Sequence, residues 1–298
     1  MCKNLIFVAD YFMEEIRRGA EVCNDALIQH IKPEKTFQSS DVVDIDSKYF
    51  YIITNFVNLK EEIKQKLIKN KNYLIYEHDH KYTPTRNPFI NPDRTINEKG
   101  VVPEKFLINL DFYNNAKVCI CQTSWHQNQL SLQKHISCRL DNIHGSIYTH
   151  YDLDILTAIR VKTEKKPKYA IFNDSEKIYL TNGLIYNQGP NIKNKFGAVQ
   201  YCIENKIPYV FIPRINNKEK FWTALASFEN FIFFPDVPET CSRLLIEAKM
   251  LGSHLITNTN SGAYHEDWFK LSGQKLIDYF RDKIIPEAIK KFKGYINE

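Results

Sequence analysis

Near its C-terminus the chain reads Phe231-Ile-Phe-Phe-Pro-Asp-Val-Pro-Glu239-Thr-Cys-Ser-Arg-Leu-Leu-Ile-Glu247-Ala-Lys-Met-Leu-Gly252. The apolar, aromatic residues 231–234 predict a buried strand, which Pro235 and Pro238 end. A segment with helical periodicity follows and stops at Gly252. A strand, a turn and a helix in this order are typical of a parallel α/β sheet. The stretch therefore favours an α/β fold.

Two carboxylates take fixed places in this stretch. Glu239 lies in the turn between strand and helix, and Glu247 follows eight residues later, about two helical turns deeper. The backbone N–H groups of the first helical turn, 240–243, lie between them and form a ready site for an anion such as a diphosphate. Because a carboxylate repels that anion, both acids are better explained as acceptors of sugar hydroxyls on either side of a pyrophosphate.

This pattern resembles the nucleotide-sugar signature of retaining GT-B glycosyltransferases, the group 1 or family 4-like enzymes with a two-glutamate motif. The resemblance implies a GT-B-like α/β fold of two doubly wound Rossmann-like domains that face a central cleft. It also implies that Glu239 is a catalytic residue that contacts the transferred sugar, and that Glu247 holds the ribose. The diphosphate is then expected on the backbone of Thr240, Cys241, Ser242 and Arg243.

Length and composition permit such a two-domain protein. The 298 residues are 43% hydrophobic and 13% aromatic, which is ample for two domains of ordinary size. No run of about eighteen apolar residues predicts a transmembrane segment, and residues 1–10 turn acidic too soon for a secretory signal. The seven cysteines are an odd number without a paired framework. We therefore expect a cytoplasmic protein with reduced thiols. Cys119 and Cys121 are expected to point to opposite faces of a strand.

The charge of the chain is mildly positive. A net charge of +5 and a pI near 8.6 fit an enzyme that attracts a phosphorylated donor, or an anionic acceptor such as nucleic acid or a membrane surface. Lysines concentrate in 60–71 and 162–168. Both segments are better explained as solvated or linker segments than as binding patches.

Strand-like and helical segments alternate through both halves of the chain. This alternation predicts parallel sheets with right-handed crossovers. The charged segment 161–168 is the best linker candidate. We predict an acceptor-side Rossmann-like domain at 1–164 and a nucleotide-sugar-binding Rossmann-like domain at 165–273. The amphipathic helix in 274–298 is expected to cross back to the first domain.

Within the first half, one long segment is predicted to be a loop. Residues 79–103 are rich in Pro, Asn and Arg, and loops of this length inside compact domains are commonly functional. The strands of this half are predicted at 4–9, 41–46, 49–54, 73–76 and 117–122.

Gly19 lies in the turn after the first strand, where the absence of a side chain lets a ligand approach the backbone. The surrounding Arg18-Gly-Ala-Glu21 resembles the Gly-Gly-Ala-Glu found near the N-terminus of the same family. The resemblance implies that Gly19 contributes to donor binding.

A second cluster, Tyr76-Glu-His-Asp-His-Lys-Tyr82, follows the strand at 73–76. Strand ends of this kind lie at the ligand crevice of α/β sheets. The cluster resembles the His-Asp element of the family's acceptor-side domain, which implies that His78 is the catalytic residue near the reacting sugar, with His80 as the alternative. A structural hydrogen-bond network is the other explanation for such a charged turn.

Further acceptor-side contacts are predicted around this cluster. Arg86, in the following loop, is expected to hold an acceptor anion or to shape the loop. Ser124 begins a helix and suits the same crevice, although N-capping explains it nearly as well. The predicted acceptor-side set is His80, Lys81, Arg86 and Ser124.

Cations for the donor diphosphate are predicted in the second half. Lys193-Asn-Lys195-Phe-Gly197 opens a helix, and it resembles the family's element that supplies such a cation. Lys193 and Lys195 are both candidates, and Arg243 is an alternative. A Lys at a helix N-terminus is disfavoured by the helix dipole unless an anion neutralises it. With these cations at the diphosphate, we expect a metal-independent enzyme without a cofactor.

The sequence thus predicts a retaining hexosyltransferase that moves a sugar from a nucleotide diphosphate donor, UDP favoured, to an acceptor. Glycan, lipid-linked and nucleic-acid acceptors are all compatible with it. Two alternatives stay open. One is a catalytically weak nucleotide-sugar-binding partner subunit. The other is a glucosyltransferase acting on a hydroxymethylpyrimidine base of DNA, which the positive charge permits.

Overall fold

A computed structural model describes residues 2–16, 18–173, 180–181, 184–185 and 195–298. The contacts between residues divide the chain into two compact units. Unit 1 comprises Met1–Pro92, Asn97–Thr149 and Lys283–Glu298, and unit 2 comprises Asp93–Ile96 and His150–Asp282.

The strands and helices of the described residues alternate along the chain. The strands are β1 (Cys2–Ala9), β2 (Pro33–Gln38), β3 (Phe50–Ile53), β4 (Tyr73–Tyr76), β5 (Cys119–Cys121), β6 (Leu140–Asn142), β7 (Lys166–Asn173), β8 (Leu180–Thr181), β9 (Leu184–Ile185), β10 (Tyr209–Pro213), β11 (Phe228–Phe233) and β12 (His254–Thr257). The helices are α1 (Gly19–Ile31), α2 (Glu61–Asn70), α3 (Leu110–Asn114), α4 (Ser124–Ser131), α5 (His150–Lys162), α6 (Lys195–Glu204), α7 (Lys218–Ala226), α8 (Arg243–Met250), α9 (Gly273–Tyr279) and α10 (Ile285–Asn297).

Unit 1 is built on a parallel six-stranded sheet in the order β2-β1-β3-β4-β5-β6. Successive side chains of a strand point to opposite faces, so β1 contributes to two cores. Phe7 packs in the core that contains α1 and α10, whereas Val8 packs in the core that contains α2 and α3. The sheet is therefore covered by helices on both faces, as in doubly wound folds.

Unit 2 is built on a parallel four-stranded sheet in the order β10-β7-β11-β12. Helix α6 packs against it through Ala198, Val199 and Cys202, which share a core with Ile171 of β7. Helices α7 and α8 contact β11 and β12. A separate two-stranded antiparallel ladder joins β8 and β9.

The last predicted segment, 274–298, forms α9, a π-helical turn (Phe280–Ile284) and α10. Helix α10 belongs to unit 1, where Phe292 is buried in the same core as α1. Lys291 and Tyr295 both bind Asp141, next to the end of β6. The main segment of unit 2 begins at the first residue of α5. The predicted linker 161–168 overlaps the end of α5 and the start of β7.

Two sequence-based details of unit 1 are wrong. Segment 41–46 forms no strand, whereas residues 33–38 form β2, which was not predicted and pairs with β1. β2 lies at the sheet edge and is mostly exposed, so it lacks the apolar pattern that marks a buried strand. Cys119 and Cys121 point to the same face, because side chains two residues apart on a strand share a face, and both are buried in one core.

No described helix combines the length and the apolar character that a membrane crossing requires.

We expect Gly100→Ala to destabilise the protein. Gly100 has a φ of +62°, and a Cβ atom added there would lie 2.6 Å from Cζ of Phe89. The left-handed backbone and this contact should together lower the free energy of unfolding by about 1–3 kcal/mol. Urea titration followed by circular dichroism measures the change.

Gly294→Ala is the matched control. It adds the same atom within α10, where nothing lies within 4 Å, so it should raise the free energy of unfolding by about 0.5–1 kcal/mol. A loss of stability in this control, or none at Gly100, would contradict the steric explanation.

Candidate functional site

In unit 2 the candidate residues lie at the carboxyl ends of neighbouring strands. The strand order β10-β7-β11-β12 means that the connections from β7 and from β11 leave in opposite directions. Ligands of open α/β sheets bind at such a switch point, outside the carboxyl ends of the strands. The turns after β7 and β11 therefore form the expected crevice of this unit.

The turn between β11 and α8 is held by the loop that follows β12. The backbone N–H of Glu239 donates to the carbonyl of Asn260 at 3.2 Å, and the N–H of Gly262 donates to the carbonyl of Glu239 at 2.8 Å. Ser261 Oγ donates to the carbonyl of Cys241 at 3.1 Å. Glu239 and Thr240 are half-buried and the Cys241 side chain is buried. Glu239 is thus fixed at the mouth of the turn.

Ser242 is the cap residue of α8 and has unusual geometry. Its φ of 56° and ψ of 81° lie in the left-handed region, and its side chain makes no capping hydrogen bond. The Oγ atom is buried and has no hydrogen-bond partner among the described residues. Buried hydroxyl groups usually have a hydrogen-bond partner. The helix N-terminus beside Ser242 favours an anion.

Glu247 lies on the buried face of α8. Its Oε2 accepts from the indole N–H of Trp222 at 2.9 Å, and its Oε1 accepts from Nε of Arg243 at 3.1 Å. Burial raises the pKa of Glu247, and Arg243 opposes the increase. Both carboxylate oxygens are therefore engaged, although each oxygen can accept a second hydrogen bond.

A second cation lies at the end of β7. Lys195 is buried at the first position of α6, and its Nζ donates to Oδ1 of Asn173, the last residue of β7, at 2.8 Å. Lys193, the other predicted cation, lies outside the described residues.

Three crossover helices of unit 2 begin with a cation. Lys195, Lys218 and Arg243 are the first residues of α6, α7 and α8. The helix dipole disfavours a positive charge at this position, so each needs a negative or polar partner. Lys218 forms an ion pair with the buried carboxylate of Asp152. Lys195 and Arg243 donate to Asn173 and Glu247, so each of the three cations at this sheet edge has a partner within unit 2.

In unit 1, His78 is held at both ring nitrogens. Its Nε2 lies 2.7 Å from Oδ1 of Asn24, and its Nδ1 lies 3.2 Å from Nε2 of Gln122. Asn24 in turn donates to Thr54 Oγ1 at 3.1 Å. This network assigns the proton of a neutral His78 ring to Nε2, because the amide oxygen of Asn24 can only accept. The ring is fixed in one orientation and one tautomer.

The neighbouring histidines are deeply buried. Burial lowers the pKa of His80 to about 3 and the pKa of His126 well below its usual value, so both rings are neutral. His80 contacts Tyr82, and His126 Nε2 donates to the carbonyl of Asp79 at 3.2 Å. These contacts are as expected for a structural network.

Ser124 is the first residue of α4, but it does not cap the helix. The cap residue is Thr123, whose side chain accepts from the N–H of His126 at 3.1 Å. The capping explanation for Ser124 is therefore wrong by one residue. Gly19 is exposed at the first position of α1, in the turn after β1, as its sequence position predicts.

A buried ion cluster links β4 to the loop 79–103. Lys81 Nζ lies 2.5 Å from Oε1 of Glu77 and 2.6 Å from Oδ1 of Asp79, and Arg86 binds the other oxygen of Asp79. Tyr113 donates its hydroxyl to Glu77. Lys81 and Arg86, both predicted to contact an acceptor, are thus bound to carboxylates of their own unit.

Burial and charge act against each other in this cluster. Burial raises the pKa of Glu77 to about 7, and Lys81 opposes the increase. Burial acts in the same direction on Asp79, but Lys81 and Arg86 hold the pKa of Asp79 below its usual value. Desolvation would lower the pKa of Lys81, yet the two carboxylates keep it above its usual value. Lys81 therefore stays charged in the interior.

Asp-x-Asp pairs are possible metal ligands, but in this protein lysine and arginine side chains bind their carboxylates. Two such pairs occur in the sequence, and each of the four carboxylates forms an ion pair with Lys or Arg. Among the described residues, no group of three or more His, Cys, Asp and Glu side chains could hold a metal ion. The four residues are Asp44, Asp46, Asp152 and Asp154.

Several residues of these networks carry no signal in the sequence. Trp222 and Asn173 reach Glu247 and Lys195 only through the packing of distant segments. Asn24 is different, because it is a polar residue on the buried face of α1. A buried amide requires partners, so it could have been recognised as part of a polar site.

Comparison with known proteins places the fold. No family model and no curated protein matches the sequence. Among solved structures, the trehalose-6-phosphate synthase OtsA superposes with a TM-score of 0.51 at 9% identity, over 99% of this chain and 95% of that chain. HepE of Anabaena, in complex with UDP and glucose, gives a TM-score of 0.46 at 11% identity, over 96% of this chain and 92% of that chain.

The similarity to OtsA confirms the predicted fold class. The chain has a GT-B-like α/β fold with two Rossmann-like domains. At so low an identity the similarity concerns the fold alone.

We expect Lys81→Met to destabilise the protein strongly, because it leaves Glu77 and Asp79 without their shared cation. Removal of one partner of a buried ion pair costs about 3–5 kcal/mol of unfolding free energy. Chemical denaturation at neutral pH measures this loss. The matched control is Lys66→Met, which removes the exposed pair with Asp44 and should leave stability nearly unchanged. Equal effects of the two substitutions would show that the Lys81 cluster is not energetically special.

Proposed function

We propose that this chain is a glycosyltransferase that moves a sugar from a nucleotide diphosphate donor, UDP-linked for preference, to a hydroxyl acceptor. The donor would bind unit 2 at the β7 and β11 strand ends, and the acceptor would bind unit 1. Cytoplasmic localisation with reduced thiols remains part of this proposal.

One observation carries the donor half of the proposal. The turn before α8 combines a left-handed cap, a buried Ser242 hydroxyl without a described partner and the positive end of the helix. The first residue of each neighbouring crossover helix adds a cation. A diphosphate would bring negative charge and acceptor oxygens to the helix N-terminus, where the Ser242 hydroxyl and the backbone amides can donate to it.

The two glutamates fit sugar recognition to different degrees. Glu239 is half-buried at the mouth of the turn, so we propose that it orients the transferred sugar. Glu247 is buried and bound to Arg243 and Trp222. Its remaining lone pairs could accept ribose hydroxyls, and Arg243 would then be shared between Glu247 and the diphosphate.

The proposed reaction does not require a nucleophilic side chain. The bond between the anomeric carbon and the diphosphate oxygen breaks while the acceptor hydroxyl forms a bond on the same face of the sugar. The hydroxyl proton passes to the departing diphosphate, and the configuration is retained. Fixed amides at 241–244 and the cations of Lys195 and Arg243 would stabilise the leaving charge, so no metal is invoked.

His78 suits a positioning role in this reaction. Both of its ring nitrogens lie within hydrogen-bond distance of Asn24 and Gln122, so the ring is held in place by its own unit rather than left open to exchange a proton with a substrate. A fixed ring at the end of β4 can instead orient a bound sugar, and orientation contributes strongly to catalysis.

Glu247 is also compatible with a second function. Its engagement by Arg243 and Trp222 is also what a catalytically weak, nucleotide-sugar-binding subunit would show. Slow release of UDP from UDP-glucose distinguishes the two functions, because only an enzyme breaks the anomeric bond.

We expect UDP to raise the melting temperature of the protein. A ligand at a hundred times its dissociation constant stabilises the folded state by about 2.7 kcal/mol. Lys195→Met should reduce this shift, because a cation next to the diphosphate is lost. Lys275→Met, which removes an exposed lysine of α9, should leave the shift unchanged. Absence of a shift with UDP, GDP and ADP alike would refute the donor site.

We expect His78→Ala to lower the turnover of UDP-glucose by about 10–100-fold through loss of orientation. The UDP-induced shift in melting temperature should be retained, since His78 lies in the other unit. His135→Ala, an exposed histidine of unit 1, serves as control and should keep full turnover. Normal turnover in His78→Ala would remove His78 from the reaction.

A further inference from the structure

Two buried side chains of unit 1 that contact each other each have one oxygen atom without a hydrogen-bond partner among the described residues. Glu21, in the first turn of α1, and Asn55, after the end of β3, are 6% and 5% exposed. Asn55 Nδ2 lies 3.4 Å from Glu21 Oε1. Glu21 Oε2 and Asn55 Oδ1 have no hydrogen-bond partner among the described residues.

The missing partners must be hydrogen-bond donors. A carboxylate oxygen and an amide oxygen only accept, and each buried acceptor without a partner costs about 1–3 kcal/mol. Two such oxygens on contacting side chains are unusual in a folded protein. Hydroxyl groups placed next to one another would satisfy both.

The N-terminus of α1 explains Glu21 only in part. Glu21 occupies the third position of the helix, where an acid interacts well with the dipole and with nearby amides. Burial nevertheless raises the pKa of Glu21, and its own amide and Arg18 oppose the increase. Helix capping also gives no reason for the buried, unpartnered oxygen of Asn55.

The position in the fold is that of a ligand site. The strand order β2-β1-β3 places a topological switch point between β1 and β3, and ligands bind outside the carboxyl ends of such strands. Glu21 follows β1 and Asn55 follows β3. Asn24, which holds His78, lies three residues after Glu21 and therefore on the same face of α1.

We propose that Glu21 and Asn55 bind two neighbouring hydroxyl groups of a saccharide or polyol, and that this pair is the hydroxyl-recognition subsite of the acceptor. The description of this ligand as the acceptor rests on the proposed glycosyl transfer. The binding site itself is inferred from residues of unit 1 alone. A phosphate group is disfavoured in direct contact with the pair, because it would bring further acceptor oxygens to a carboxylate.

Saturation-transfer difference NMR on the full chain tests this site without a donor. The probes are glucose, galactose, myo-inositol and sorbitol, each alone, with inorganic phosphate as a separate probe. We expect at least one polyol to bind the wild type. Glu21→Gln, which keeps the size of the side chain, should weaken that binding by about tenfold, the effect of one hydrogen bond to a charged group. Asn55→Ala removes a neutral acceptor and should weaken it by about fivefold.

Glu62→Gln is the matched control, because Glu62 is an exposed acid in the first turn of α2. It should bind the polyol like the wild type, and all variants should keep the circular dichroism spectrum of the wild type. If Glu21→Gln fails to fold, Asn55→Ala alone decides.

The inference fails if no polyol binds the wild type, if the two variants bind as well as the control, or if only inorganic phosphate binds. The UDP-induced thermal shift, measured on the same samples, separates this failure from that of the proposed function. A retained UDP shift without polyol binding removes the subsite only. Polyol binding without a UDP shift removes the donor site and leaves the subsite standing.

Discussion

The parallel direction of the strands is the constraint on which the rest of this structure depends. In a parallel sheet all carboxyl ends meet at one edge, and each following helix presents its positive end there. In unit 2 this edge carries Lys195, Lys218 and Arg243 at helix starts. In unit 1 it carries His78 and Glu21. One backbone rule thus gathers residues that are far apart in sequence.

Polar groups collected at a buried edge reduce stability unless they are paired. Unit 1 meets this requirement with Lys81 between Glu77 and Asp79, and unit 2 meets it with Arg243 on Glu247. Buried ion pairs of this kind add little net stability compared with apolar residues. Their presence in the interior is therefore better explained by specificity of structure or by function. The buried polar atoms that lack a partner are therefore the most informative about function.

The sequence predicts those strands and helices that local residue patterns determine. β4 occurs at the predicted residues, because a short apolar run between polar turns marks a buried strand. β2 was beyond prediction, since an exposed edge strand has no such pattern. The motif of Glu239 and Glu247 was visible, but the pairing of Glu247 with Trp222 was not, because it depends on tertiary packing.

The assignment of α10 to unit 1 has a consequence for synthesis of the chain. The segment that completes the α1 face of this unit leaves the ribosome after all of unit 2. Until then Leu27, Tyr76 and their neighbours lack the cover of Phe292. The nascent protein therefore carries an open apolar face while its other unit is already complete, and such faces invite chaperones or aggregation during translation.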